Sequence, residues 1–153
     1  MGADPLTVRR QLVNRKSFDV CVTDPPVRVL MVSPRPEDDA AKYIDHRASA
    51  IPLVHALDSL GNQAELTILS PPTFAALERE LSNARKADKP FHVVHFDGHG
   101  VYRKDIGLGG LCFESSEPVL AFHKRKSAIV NADKIAEIMR DHRIPLVATS
   151  HII

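Results

Sequence analysis

The chain has 153 residues, of which 44% are hydrophobic and 25% charged, and its formal net charge is +1. These values are typical of one ordinary globular domain with a core of its own. The balanced charge gives no electrostatic reason to expect nucleic acid or an acidic membrane surface as a partner. No apolar run is long enough to span a membrane, and the first residues lack the apolar core of a signal peptide. Two cysteines are too few for a disulfide framework, so a cytoplasmic location is expected.

Residues 1–26 are polar and basic and end in Asp24-Pro25-Pro26, so they are predicted to be a linker or arm before a domain at 27–153. In that domain, apolar runs of strand length alternate with stretches of helical period. The predicted strands cover 27–33, 64–69, 91–97, 111–114 and 144–149, and the strand at 111–114 is expected to belong to a hairpin. This order predicts an α/β fold with a mainly parallel sheet and helices on both faces.

The predicted helices each carry an apolar stripe. In the first, Pro52 is tolerable only near the opening turn, and Gly61 marks the end. The second begins at Thr73, and Asn131 is the expected N-cap of the third. The three stripes are Ala50, Leu53, Val54, Leu57 and Leu60; Phe74, Leu77, Leu81 and Ala84; and Ile135, Ile138, Met139 and His142.

The central run at 91–97 leads directly into His99. The run is apolar and β-branched and is bounded by Pro90 and Gly98, which is typical of a strand covered on both faces. In open α/β sheets, functional groups gather beyond the carboxyl ends of the strands. Gly98 and Gly100 would let the backbone turn and approach a substrate closely. His99 is therefore the main candidate functional residue, in the role of a general base.

Two other chemistries fit this region less well. A metal site could be suspected from three nearby histidines, His92, His95 and His99. However, side chains alternate between the two faces of a strand, so His92 points away from His95. His95 is expected to be a packed strand residue. The glycine-rich segment 107–110 is not followed by a helix whose N-terminus could face a phosphate, so a turn is expected there. The basic run 123–126 is expected to be a solvated turn. No metal and no cofactor is predicted.

A histidine base needs a nucleophile at the end of a neighbouring strand. In the caspase pattern, a cysteine follows the histidine by roughly 50 residues, which falls here in the tail after Val147. That tail contains no cysteine. Cys112 stands between two large apolar residues and is expected to be an inert core thiol. Ser150 stands close to the expected place but lacks the local sequence of a nucleophile elbow.

Four segments, in this order, resemble the CHAT domain, a bacterial relative of caspases that is often found beside tetratricopeptide repeats. They are VRVLMVSPRP at 27–36, VVHFDGHGVY at 93–102, GLGGLCFE at 107–114 and RIPLV at 143–147. The first and the last are generic alone, whereas the histidine motif followed by the GGLCFE segment is fairly specific. The chain is thus identified by resemblance as a CHAT-type domain.

The resemblance implies a caspase-like three-layer fold and a Cys-His endopeptidase that acts on a protein or peptide without a cofactor. It makes His99 the catalytic histidine and Gly100 the residue whose backbone N–H binds the developing oxyanion. By register, the cysteine of the family falls near Ile152, which cannot be a nucleophile. The resemblance therefore predicts a domain that is incomplete at its C-terminus, lacks the nucleophile and the substrate-pocket half, and is inactive alone.

Alternatives remain for both origin and function. The resemblance to the CHAT domain stops abruptly after Val147. This favours a frameshift or a truncated reading frame over a diverged, non-catalytic homologue. A second function is a non-catalytic interaction module of a bacterial signalling or defence system, which docks a partner chain at the uncovered edge of the last strand. A third, a doubly wound domain that binds a small molecule, lacks a phosphate loop.

Overall fold

The computed structural model of the protein describes residues 24–38, 45–104, 107–117 and 124–150. All but the last three residues of the predicted arm, and the tail after Ser150, lie outside these ranges. The elements of the described part, in chain order, are β1 (Val27–Val32), α1 (His46–Asp58), a 3-10 turn (Gly61–Gln63), β2 (Ala64–Ile68), α2 (Phe74–Lys86), β3 (Val93–Asp97), β4 (Gly100–Arg103), β5 (Leu108–Glu114), β6 (Ser127–Asn131), α3 (Ala132–Asp141) and β7 (Leu146–Ser150).

The strands form two sheets with different pairing. Four of them make an all-parallel sheet in the order β2-β1-β3-β7, and the other three make an antiparallel sheet in the order β4-β5-β6. The parallel sheet is flanked by helices, which confirms the predicted α/β fold. Because β3 lies between β1 and β7, its carboxyl end is in the interior of the sheet.

The main core lies on one face of the parallel sheet, where strand residues meet α2 and α3. Side chains alternate between faces along a strand, so alternate residues of β1 and β3 contribute to this core. Most residues of the apolar stripes predicted for the second and third helices are buried here. Ala84 is only partly buried, and His142 is partly buried and lies just beyond the end of α3. The strand and helix residues of this core include Leu30, Val32, Val94, Phe96, Leu77, Leu81, Ile135, Ile138 and Met139.

The antiparallel sheet adds Phe113 to the same core. Its ring lies 5.5 Å from that of Phe74, at an interplanar angle of 82°, and 5.3 Å from that of Phe96. Edge-to-face and tilted contacts of this kind are favourable for aromatic rings. Phe113 therefore joins the two sheets and α2 through a single hydrophobic cluster.

One helix has a side-chain cap, and three details of the helices differ from expectation. Thr73 is the N-cap of α2, and its hydroxyl accepts a hydrogen bond from the Ala76 N–H at 3.2 Å. Asn131 is the N-cap residue of α3, but its side chain makes no capping bond. Pro52 lies inside α1 rather than in its first turn, because the helix begins at His46. Leu60 lies beyond the end of α1 and is 47% exposed.

The glycine-rich segment and the basic region also differ from expectation. Only Gly107 serves the turn, with φ of +64°, whereas Gly109 and Gly110 lie inside β5. The hairpin expected around 111–114 is formed by β4 and β5. β6 is not located by the sequence pattern; it forms directly after the basic run and pairs antiparallel with β5. Of the helices in the described part of the chain, none is long and apolar enough to cross a bilayer.

Candidate functional site

His99 lies where the chain passes from one sheet to the other. Asp97 ends β3, and Gly100 begins β4 in the antiparallel sheet. The Gly98 N–H donates to the Ser150 carbonyl of β7 at 3.3 Å, and the His99 carbonyl accepts from the Cys112 N–H of β5 at 2.9 Å. The structure thus places the histidine just beyond the carboxyl end of the central strand, the position that the sequence predicts.

Close packing accounts for the glycine at position 98. A Cβ there would lie 2.9 Å from Cε1 of the Phe96 ring and 3.3 Å from Cδ of Pro34. The residue is buried, and its φ is outside the left-handed region. Gly98 therefore lets the backbone leave β3 over the Phe96 ring.

Asp97 forms a buried charged cluster immediately before the histidine. Its side chain is fully buried, and the Arg35 guanidinium contacts its Oδ2 at 2.5 Å and its backbone carbonyl at 2.7 Å. Ser150 donates to Oδ1 at 2.8 Å, and Ser33 donates to Oδ2 at 3.3 Å. A buried carboxylate is costly unless it is paired and hydrogen-bonded, and Asp97 is both.

Arg35 links this cluster to the antiparallel sheet. Its backbone N–H donates to Oε1 of Glu114, at the end of β5, at 2.9 Å. The Arg125 guanidinium contacts the same oxygen at 3.3 Å. The loop that follows β1 therefore joins the carboxyl ends of β3 and β5, which lie on either side of the histidine turn.

His95 occupies the same face of β3 as Asp97 and contacts the same serine. Its Nε2 lies 3.2 Å from Ser150 Oγ. Because the hydroxyl proton of Ser150 points to Asp97, Nε2 must carry the proton in this contact. Burial lowers the pKa of His95, although the charge of Asp97 opposes this shift. The lowered pKa favours the neutral imidazole. The half-buried, hydrogen-bonded ring matches the packed strand residue that the sequence predicts.

Ser150 is not arranged as a nucleophile. In a serine hydrolase, histidine stands between serine and aspartate and takes the hydroxyl proton. Here the serine stands between His95 and Asp97 and gives its proton to the carboxylate. Ser150 instead joins β7 to β3, in register with Asp97.

Cys112 is an interior residue of β5, as expected. It is 1% exposed, and burial raises the pKa of its thiol, against the opposing effect of a hydrogen bond with Ser127. A thiol in this state is neither accessible nor ionised at neutral pH. Cys112 therefore cannot supply the nucleophile that His99 would activate.

His92, at the start of the histidine-containing segment, and two residues of the basic run have structural partners. The Nδ1 atom of His92 accepts from the Arg28 N–H at 2.9 Å. Arg125 pairs with Glu37 at 3.0 Å, and Lys126 pairs with Glu117 at 3.2 Å, on an exposed surface. Within the described ranges, no three histidine, cysteine or acidic side chains lie close enough together to hold a metal ion.

Sequence reasoning missed Arg35 and Asp97. The signal was present in outline: an acidic residue ends a buried strand, and an arginine follows the end of another strand. Carboxyl ends of parallel strands meet at one edge, where two such residues can pair.

No family model matches the chain, and no curated protein sequence matches it.

Proposed function

We propose that the chain carries the histidine-bearing half of a caspase-like domain of the CHAT type, with His99 as the base and the Gly100 N–H as the oxyanion donor. The observation that carries the proposal is the position of His99, directly after the central parallel strand and at the start of the antiparallel hairpin. The proposed substrate or partner is a protein or peptide in the cytoplasm. CHAT domains, which the chain resembles, are often found beside tetratricopeptide repeats, and such a repeat region is a further candidate partner.

The register between β3 and β7 supports the expected place of the nucleophile. Asp97 pairs with Ser150 in this parallel ladder. Because the strands are parallel, Asp97 and Ser150 lie at the same edge of the sheet, and His99 follows Asp97 by two residues along the chain. The resemblance puts the cysteine of the family near Ile152, which follows Ser150 by two residues in the sequence.

A cysteine at that position would complete a known reaction. His99 would take the thiol proton, the sulfur would form a bond to the peptide carbonyl carbon, and the Gly100 N–H would donate to the oxyanion. The imidazolium would then return its proton to the leaving amine as the C–N bond breaks. Isoleucine has neither a lone pair nor an acidic proton, so we expect the 153-residue chain to hold a base without a nucleophile and to cleave no peptide by itself.

Introducing the thiol tests this proposal directly. In the Ile152→Cys variant, the pH dependence of alkylation by iodoacetamide gives the apparent pKa of the new thiol. We expect this pKa to lie below about 8.5, the ordinary cysteine value, because a nearby imidazole stabilises the thiolate. Adding His99→Ala should restore the ordinary pKa and slow alkylation at neutral pH. Mass spectrometry of peptides separates this site from Cys112.

The matched control is Ile153→Cys, which puts the same thiol one residue further along the same segment. Its alkylation should not depend on His99. Equal alkylation profiles at positions 152 and 153, unchanged by His99→Ala, would contradict the proposal.

A second candidate function is a module that binds a partner chain at β7. Within the described residues, β7 pairs only with β3, so one of its edges is open. Its sequence, LVATS, contains no charged residue and no proline, the usual protections of an edge strand. Leu146 and Val147, on opposite faces, are 54% and 41% exposed. Such an edge can accept an added strand from a partner.

Co-purification distinguishes this candidate function from non-specific self-association. A defined protein that is recovered with the tagged chain in fixed stoichiometry, and is lost in Val147→Pro, would support a docking role. Proline removes a backbone donor and is found in sheets mainly where pairing ends. Polydisperse self-association without a partner would count against this role.

A further inference from the structure

A small hollow adjoins the proposed oxyanion donor. It has a volume of about 320 Å³ and is formed by the hairpin of β4 and β5, with Ala132 at the start of α3 on its rim. Three glycines line it, together with apolar or aromatic residues and no charged side chain. The hairpin residues that line it are Gly100, Val101, Tyr102, Gly109, Gly110 and Leu111. This size is at the lower end of the range for ligand pockets.

Two adjacent glycines in this lining exist for different reasons. A Cβ on Gly110 would lie 2.7 Å from the Val130 carbonyl oxygen, so the close approach of β6 requires glycine there. A Cβ on Gly109 would meet only the Val101 carbonyl oxygen, at an ordinary 3.8 Å. The φ of Gly109 is not left-handed either.

Neither packing nor backbone conformation therefore explains Gly109. A glycine inside a strand weakens it, and commonly marks a place where a ligand or another backbone approaches closely. Because Gly109 belongs to the lining, a larger residue at this position would narrow the hollow. The glycine therefore favours an occupant of the hollow.

The position of the hollow limits what it can receive. Gly100 belongs to its lining and is also the residue whose N–H would contact the reacting carbonyl. In the hairpin register, Gly100 pairs with Leu111 and Gly109 pairs with Tyr102, which is 66% exposed. Because Gly100 lines the hollow, an occupant would lie next to the carbonyl that the Gly100 N–H is proposed to contact. The lining offers no charged side chain that could pair with a charged occupant, and its apolar surface favours an apolar one.

We propose that this hollow is a specificity subsite that receives an apolar side chain of a polypeptide bound at His99. The proposal rests on the proposed function, because His99 and Gly100 define where the peptide lies. It adds a substrate class: peptides with an apolar residue next to the bond that the histidine faces.

Binding to the whole chain tests the subsite without requiring cleavage. The probes are two blocked tripeptides, N-acetyl-Ala-Leu-Ala-amide and N-acetyl-Ala-Glu-Ala-amide, titrated at millimolar concentrations into the ¹⁵N-labelled chain. We expect the leucine peptide to shift the amide signals of Gly109, Gly110 and Leu111. The glutamate peptide should bind about tenfold more weakly or less, since it loses the burial of the apolar side chain.

The Gly109→Val variant tests whether the missing side chain matters. Valine suits a strand, so the fold should be retained, while the leucine peptide should bind about tenfold more weakly. The matched control is Leu108→Val, a change in the same strand at a residue outside the lining, which should leave binding unchanged. Unaltered binding to Gly109→Val, or no shift at Gly109 and Gly110 with either peptide, would overturn the subsite.

The same titration separates failure of the subsite from failure of the proposed function. The imidazole signals of His99, assigned through His99→Ala, report on the proposed base. If the leucine peptide moves Gly109 and Gly110 but not His99, the hollow binds apolar side chains and the proposed role of His99 fails. If the peptide moves His99 and binds Gly109→Val equally well, the role of His99 stands and the subsite fails.

Discussion

Arg35 holds Asp97 by two groups at once: its guanidinium contacts both the carboxylate and the backbone carbonyl of the aspartate, at 2.5 and 2.7 Å. The carboxylate is fully buried, and the arginine side chain is 18% exposed. The contact therefore fixes the last residue of β3 as well as its charge. Since His99 follows two residues later, this ion pair lies directly before the histidine turn.

The first prediction concerns the stability that depends on this pair. Replacing Arg35 by methionine leaves a buried carboxylate without its cation, which we expect to lower the free energy of unfolding by about 3–5 kcal/mol. Urea denaturation measures the change. The matched control is Lys126→Met, which breaks the Lys126–Glu117 pair; these side chains are 69% and 68% exposed, so the free energy of unfolding should hardly change. Equal losses in the two variants would contradict the assigned burial.

The second prediction concerns the thiol of Cys112. Burial leaves it inaccessible and raises its pKa, so iodoacetamide should not modify Cys112 in the folded chain at neutral pH. In denaturant, Cys112 should react at the rate of an ordinary cysteine. Peptide mass mapping identifies the modified residue. Rapid modification of folded Cys112 that disappears in His99→Ala would instead make this thiol the partner of the histidine.

The third prediction concerns pH. Because burial depresses the pKa of His95, the folded protein binds the proton less readily than the unfolded chain does. The contribution of His95 to the free energy of unfolding is complete above pH 6.5, the ordinary pKa of histidine. It decreases as the pH falls from 6.5 to the lowered pKa of His95 in the folded protein. Urea denaturation across this range should show the slope, and His95→Gln should reduce it.

His92 contributes a slope of the same sign, since burial also lowers its pKa. The slope that remains in His95→Gln should therefore decrease further when His92→Gln is added. Imidazole titration by NMR measures both residues directly. A midpoint for His95 above 6.5 would contradict the prediction.

The fourth prediction separates the two glycines of β5 by stability. In Gly110→Ala, the new methyl group meets a backbone carbonyl at 2.7 Å, which should cost about 1–3 kcal/mol of unfolding free energy. Gly109→Ala meets nothing closer than 3.8 Å and should be neutral or stabilising by up to about 1 kcal/mol. Thermal and urea unfolding give the comparison. A large loss in Gly109→Ala would show that its glycine is required by the fold.

Much of the fold could be predicted because it depends on local patterns. Alternation of short apolar runs with helical stripes predicted the parallel sheet and the burial of Leu77 and Ile138. Strand geometry also predicted that His95 would be a packed residue. β6 was missed because a five-residue strand after a charged loop carries too little periodicity to be distinguished from loop.

The contacts of the site were harder to predict because they join distant parts of the chain. Arg35 and Asp97 are 62 residues apart, and neither lies in a motif that specifies the other. Only the strand order, with β3 next to β1, brings them together. The different reasons for Gly109 and Gly110 likewise depend on where β6 lies, which the sequence did not indicate.

The hydrogen bonds on either side of His99 have a mechanical consequence. The Gly98 N–H is bonded to β7, and the His99 carbonyl is bonded to β5. Sliding of the antiparallel sheet against the parallel sheet must therefore either break one of these bonds or displace the imidazole. A force or a ligand that acts only on the hairpin, far from the ring, would change the orientation of the ring through the backbone.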